Sequence, residues 1–197
     1  LRGFGESALE GPFSVEQYAD DMAGLLAHLR IEQAVVVGCS MGGYAALAMW
    51  RRHSVQIRAL VLADTRSGAD TDEGRERRRN LIQVARTEGS TAVANLQIPS
   101  LVGKTTRETQ PDTYDAVHRM MAQTKPGAIV GALEAMMTRP DSTPLLPDIT
   151  VPTLVVVGEE DVPTPVKESR AMPQAIPGSH LQVIAQAGHL ATLERPA

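Results

Sequence analysis

The 197-residue chain is long enough for one domain that buries on the order of 70% of its unfolded surface. Its formal net charge of −4 argues against nucleic acid or an anionic membrane surface as the principal partner. Cys39 is the only cysteine, so no internal disulfide can form, and no apolar run approaches the roughly 18 residues that span a bilayer.

Leu1–Ser7 is a glycine-punctuated loop with no strand before it. A helix follows. Ser14 with Gln17 makes a capping box, Phe13 and Tyr18 form a hydrophobic staple, and Val15, Tyr18, Met22, Leu25, Leu26 and Leu29 recur on one face. The apolar run Ala34–Val37 reads as a buried strand. It stops at Gly38-Cys39-Ser40-Met41-Gly42-Gly43 and enters a helical pattern carrying Ala45, Leu47, Ala48 and Trp50. G-x-S-x-G between a strand and a helix is the context of a nucleophile elbow. A turn this sharp crowds the backbone, so side chains at Gly38 and Gly42 are expected to collide with their neighbours. Ser40 is thereby held at the start of a helix, where free N–H groups favour a developing oxyanion. The spacing matches neither a phosphate loop nor a dinucleotide loop.

Ile57–Ala63 reads as a second buried strand, ending at Asp64. From Arg66 to Pro147 the texture turns polar and helical, with breaks at Gly89, Pro99, Pro111, Pro126-Gly127 and Pro140. Helices are predicted near Glu73–Arg86, Thr91–Leu96, Pro111–Gln123 and Ala128–Thr138. Val151–Val157 returns to the strand pattern and leads into Gly158-Glu159-Glu160-Asp161. Pro165–Met172 reads as a short helix, Leu181–Ile184 as a last strand, and Ala187–Leu190 as a loop. The expected organisation is a core part over residues 1–65, a helical cap insertion over 66–147 and a second core part over 148–197.

Apolar strands alternating with helices imply an α/β fold with a parallel sheet covered on both faces. Function in such sheets sits at the carboxyl ends of the strands. Ser40, Asp161 and His189 each follow a predicted strand at that end, in the order Ser…Asp…His. A serine hydroxyl needs a base within hydrogen-bond reach, and His189 is the candidate. Asp161 would orient its imidazole. Asp64, Glu159 and Glu160 compete for the acid's place. His28, His53, His118 and His180 lack His189's placement, and Cys39 reads as buried filler. Met120, Met121, Met136 and Met137 suit either adaptable pocket walls or the packing between insertion helices. The basic run Arg75, Arg77, Arg78 and Arg79 reads as a solvated helix face, with a clamp for an anionic substrate as the alternative.

The segments LRGFGES (1–7), VVVGCSMGGYAAL (35–47), PTLVVVGEEDVPTP (152–165) and AGHLATLERP (187–196) carry a family resemblance. The chain resembles an α/β-hydrolase with a helical cap, of the group that includes 3-oxoadipate enol-lactonases and small carboxylesterases. The resemblance implies acyl transfer on a small ester or enol-lactone, with Ser40 as nucleophile, His189 as base and Met41 supplying one oxyanion N–H. It also implies that the first strands of the fold, one of which donates the second oxyanion N–H, and a final helix are absent from these 197 residues. The outer edge of Ala34–Val37 would then stand unpaired, an aggregation hazard.

No metal or cofactor is called for. The partner expected is a small-molecule substrate, without nucleic acid or membrane; a homo-oligomer is left open, and the compartment expected is the cytoplasm. Alternatives within the fold are a C–C bond hydrolase and a cofactor-free perhydrolase. From a different class comes a ligand-binding protein that keeps the triad without turnover.

Overall fold

A computed structural model describes residues 1–196. Helix α1 (Val15–His28) opens on Ser14, whose hydroxyl accepts the Gln17 N–H at 3.0 Å. The reciprocal half of the capping box is not made, because the Gln17 side chain donates to Asp21 instead. Phe13 packs against the cluster of Tyr18, Ala45 and Ala135. Strand β1 (Ala34–Cys39) then runs into helix α2 (Met41–His53), and β2 (Ile57–Ala63) follows a short 3₁₀ turn.

Five helices separate β2 from the next strand: α3 (Asp72–Thr87), α4 (Ser90–Leu101), α5 (Lys104–Thr109), α6 (Pro111–Ala122) and α7 (Pro126–Thr138). Pro99 does not end α4. It sits in the last turn, where its missing N–H forfeits one bond, while Ile98 and Val102 are fully buried beside it. Helix α5 is absent from the sequence reading. After β3 (Thr153–Gly158), the region expected as one helix forms two, α8 (Val166–Ser169) and α9 (Ala171–Ala175). Strand β4 (His180–Ile184) and helix α10 (Ala191–Glu194) complete the described chain.

The four strands are parallel in the order β1-β2-β3-β4, so all four carboxyl ends meet at one rim. Period-two alternation puts Leu60, Leu62 and Val155 on the face that packs against α1, α2 and α9. Ala46, Leu47, Ala48 and Met49 of α2 are almost wholly buried there. The opposite face differs from the expected burial. Val35, Val37 and Leu154 are exposed, at 46%, 63% and 37%. Within residues 1–196 the helices cover one side of the sheet, and β1 is an edge strand with no partner on its outer side. The run Ala34–Val37 is therefore apolar throughout but only half-buried, at Ala34 and Val36, with Val35 and Val37 exposed between and beyond them.

Candidate active site

Ser40 occupies the turn between β1 and α2 with φ 52° and ψ −115°, a conformation L residues rarely adopt. Three bonds fix it there. Its N–H donates to Ala63 O at 2.9 Å, and its carbonyl accepts from Gly43 N and from the Thr65 hydroxyl at 2.8 Å. A side chain at Gly38 would run into the Gly42 carbonyl, as expected. The second crowded glycine is Gly43, where a Cβ would overlap the Thr65 side chain. Gly42 has open space around it. The expectation for Gly42 is thus corrected: tight packing against the β2–α3 connection, not the elbow's own backbone, demands the second glycine.

His189 comes from the loop after β4, and Asp161 from the turn after β3. His189 Nε2 lies 2.7 Å from Ser40 Oγ, and its Nδ1 lies 3.0 and 3.1 Å from the two Asp161 carboxylate oxygens. A carboxylate only accepts, so Nδ1 carries the proton and Nε2 is left to accept the serine hydroxyl. Asp161 and His189 are 5% and 3% exposed. Thr164 holds the acid in place. Its N–H donates to Asp161 Oδ1 at 2.8 Å and its hydroxyl to Oδ2 at 2.6 Å. Sequence reasoning passed over Thr164, although Asp-x-x-Thr is a turn signature in which a carboxylate accepts from the residue three places on.

The rival acids are engaged elsewhere. Asp64 accepts from Gly158 N at 2.8 Å and Ala191 N at 3.3 Å; burial, with the Asp161 charge adding to it, pushes its carboxyl up to about 7. Glu160 accepts from the Thr105 N–H and hydroxyl, and Glu159 from Gln186 N. Burial, helped by Asp64 and Asp161, pushes the Cys39 thiol up to about 12, which removes it as a nucleophile at neutral pH.

A cavity of about 590 Å³ opens over Ser40 and His189. Met41, the first residue of α2, lines it, and its N–H stands in the helical turn that has no intrahelical acceptor. Met121 and Met136 line the wall; Met120 and Met137 do not. Neighbours on a helix point about 100° apart, so one member of each pair faces the cavity and the other turns aside from it. Met120 is accordingly 52% exposed.

The basic run splits in the same way. Arg77 and Arg78 line the cavity, whereas Arg75 and Arg79 pair with Asp72 and Glu76 within their own helix. Arg66 adds a third guanidinium to the wall. Asp70, also in the lining, bridges Arg78 and the buried Arg139, and Arg139 lies 4.0 Å over the Tyr44 ring. Burial alone would raise the Asp70 carboxyl, but the two guanidiniums hold it below its ordinary value. His118 bonds Asn95 and His53 bonds Asp20, both away from Ser40. Among the described residues no group of three or more His, Cys, Asp or Glu is placed to hold a metal ion, and no helix is long and apolar enough to cross a membrane.

Comparison with known proteins agrees with this architecture. The chain is 27% identical over 196 residues to 3-oxoadipate enol-lactonase 2 of Acinetobacter baylyi, covering 99% of the chain and 72% of that protein. Among solved structures, a thermophilic esterase from Thermogutta terrifontis, described with malate bound, superposes with a TM-score of 0.96 at 40% identity. That match covers the whole of this chain and 73% of the esterase. The enol-lactonase from Burkholderia xenovorans superposes at 0.89 with 30% identity, over 99% of this chain and 74% of its own. The family model for the alpha/beta hydrolase fold matches residues 1–196, and the chain belongs to that family.

Proposed function

We propose that this protein is a serine hydrolase that cleaves a small carboxylic ester or enol-lactone through an acyl-enzyme. One observation carries the reading: the unbroken hydrogen-bond line from Ser40 Oγ through the His189 ring to Asp161, opening into a cavity. In that line, His189 Nε2 takes the hydroxyl proton as Oγ attacks the substrate carbonyl. The tetrahedral oxyanion is stabilised by the Met41 N–H at the α2 terminus. Asp161 stabilises the imidazolium, which then protonates the leaving oxygen. Water repeats the sequence on the acyl-enzyme and releases the acid, regenerating Ser40.

Arg77 on the wall, which pairs with no carboxylate among the described residues, favours an acyl group that carries its own carboxylate, whereas Arg78 is held by Asp70 and Arg66 by Glu168. The enol-lactonase and the malate-bound esterase among its relatives support that preference. The test is fluorophosphonate labelling and p-nitrophenyl ester hydrolysis by the wild type and Ser40→Ala. Labelling and turnover that persist in Ser40→Ala would end the proposal. A p-nitrophenyl hemisuccinate preferred over the acetate would support the anionic acyl group, and the reverse preference would remove it.

A further inference from the structure

Glu194 is 1% exposed, and no Lys or Arg among the described residues pairs with it. A buried carboxylate without a cation is costly unless its oxygens are satisfied. Here three backbone N–H groups satisfy them. Oε1 accepts from Gly188 at 3.0 Å and from Leu190 at 3.2 Å, the residues immediately before and after His189. Oε2 accepts from Gly103 at 2.9 Å, in the turn between α4 and α5.

The same turn also holds His189 directly. The His189 N–H donates to Leu101 O at 2.9 Å, and Leu101 lines the cavity. The two loops lie so close that a Cβ on Gly103 would stand 2.7 Å from Gly188 N and 3.0 Å from Glu194 Oε2. A Cβ on Gly188 would overlap Gly103 N. The loop carrying the base is thus gripped on both sides by one carboxylate and locked against the helical segment that walls the cavity.

We infer that Glu194 is a positioning residue. It sets the His189 ring opposite Ser40 and ties that placement to the Leu101–Gly103 turn of the helical layer. The inference rests on the acyl-transfer reading above. Glutamine tests it cleanly. An amide has a single acceptor oxygen, so in Glu194→Gln one end of the side chain must set an N–H donor against a backbone N–H. A displacement of the base of about 1 Å is enough to slow the chemistry by up to about 10²-fold. Glu194 does not line the cavity, so its substitution removes none of the substrate's own contacts.

The experiment uses the wild type, Glu194→Gln, Glu194→Asp, Gly103→Ala and Ser40→Ala. Active sites are counted by fluorophosphonate titration, and kcat and KM are measured per titrated site with p-nitrophenyl acetate, alongside Tm. The expected result is a kcat lower by about 10- to 100-fold in Glu194→Gln with KM within about twofold, and a smaller loss of the same kind in Gly103→Ala. A merely structural Glu194 would lower Tm and the active fraction but leave kcat per site unchanged, and that outcome overturns the inference. If Glu194→Gln does not fold, Glu194→Asp, which keeps the carboxylate but shortens its reach to the three N–H groups, decides on the same criterion. A wild type that is not labelled, or whose turnover survives in Ser40→Ala, refutes the acyl-transfer reading instead.

Discussion

Asp64 makes the stability of this protein fall as pH rises, and Asp64→Asn should abolish that part of the dependence. The carboxyl is fully buried at the end of β2, facing Asp161 and His189. Its pKa stands at about 7 against an ordinary 3.8. Between those values the folded protein retains a proton that the unfolded chain has released, so stability declines with rising pH and the loss is complete above about 7. At about 1.4 kcal/mol per pKa unit the whole effect is about 4 kcal/mol, of which about 2–3 kcal/mol falls between pH 5 and pH 8. Asparagine keeps the shape and can still accept from Gly158 N, while its amide opposes the Ala191 N–H at every pH. Urea unfolding of both proteins at pH 5, 6, 7 and 8 isolates the contribution, because other groups titrate in both. The wild type should lose about 2–3 kcal/mol relative to Asp64→Asn across that range. Parallel curves would refute the reasoning, and so would a variant that falls more steeply.

Gly42→Ala should be tolerated within about 0.5 kcal/mol, whereas Gly43→Ala should cost about 1–3 kcal/mol by overpacking against Thr65; thermal unfolding of the two variants checks the contrast. Asp161→Asn should retain the fold but lower kcat by about 10³- to 10⁴-fold, by the tautomer argument established for serine proteases, measured per titrated active site. Arg139→Met should cost about 3 kcal/mol in chemical unfolding, the low end for a broken buried pair, because Arg78 stays on Asp70.

What could be read from the chain was whatever local order determines. Ala34–Trp50 announces strand, turn and helix within seventeen consecutive residues, and that much of the fold follows from period and glycine placement. Asp161 is preferred to Asp64 for its later place in the turn, an argument that local order alone does not settle. Both follow strands at the same rim, and only the paths of the β3 and β4 loops bring Asp161 rather than Asp64 onto His189 Nδ1. Gly43 was missed because its crowding comes from Thr65, distant in sequence but adjacent through β1–β2 pairing. Pro99 was read as a break on propensity, where the burial of Ile98 and Val102 outweighs one missing bond. The methionine pairs are a different matter. That two adjacent residues cannot both face the cavity follows from the helical period, which was simply not applied to them. Thr65 and Glu194 act through backbone groups of other loops, a carbonyl for Thr65 and N–H groups for Glu194, and such choices leave no periodic trace in the sequence; Thr164 was readable from Asp-x-x-Thr.

The geometry at position 40 has a consequence for inactive forms of the protein. Ser40→Ala and Ser40→Gly both delete the hydroxyl, but only glycine is at ease with φ 52° and ψ −115°. A forced backbone of this kind costs on the order of 1–3 kcal/mol, offset in part by glycine's greater freedom when unfolded. The glycine form should therefore melt above the alanine form, by an amount worth about 1 kcal/mol. Durability and reactivity pull against each other at this one strained residue.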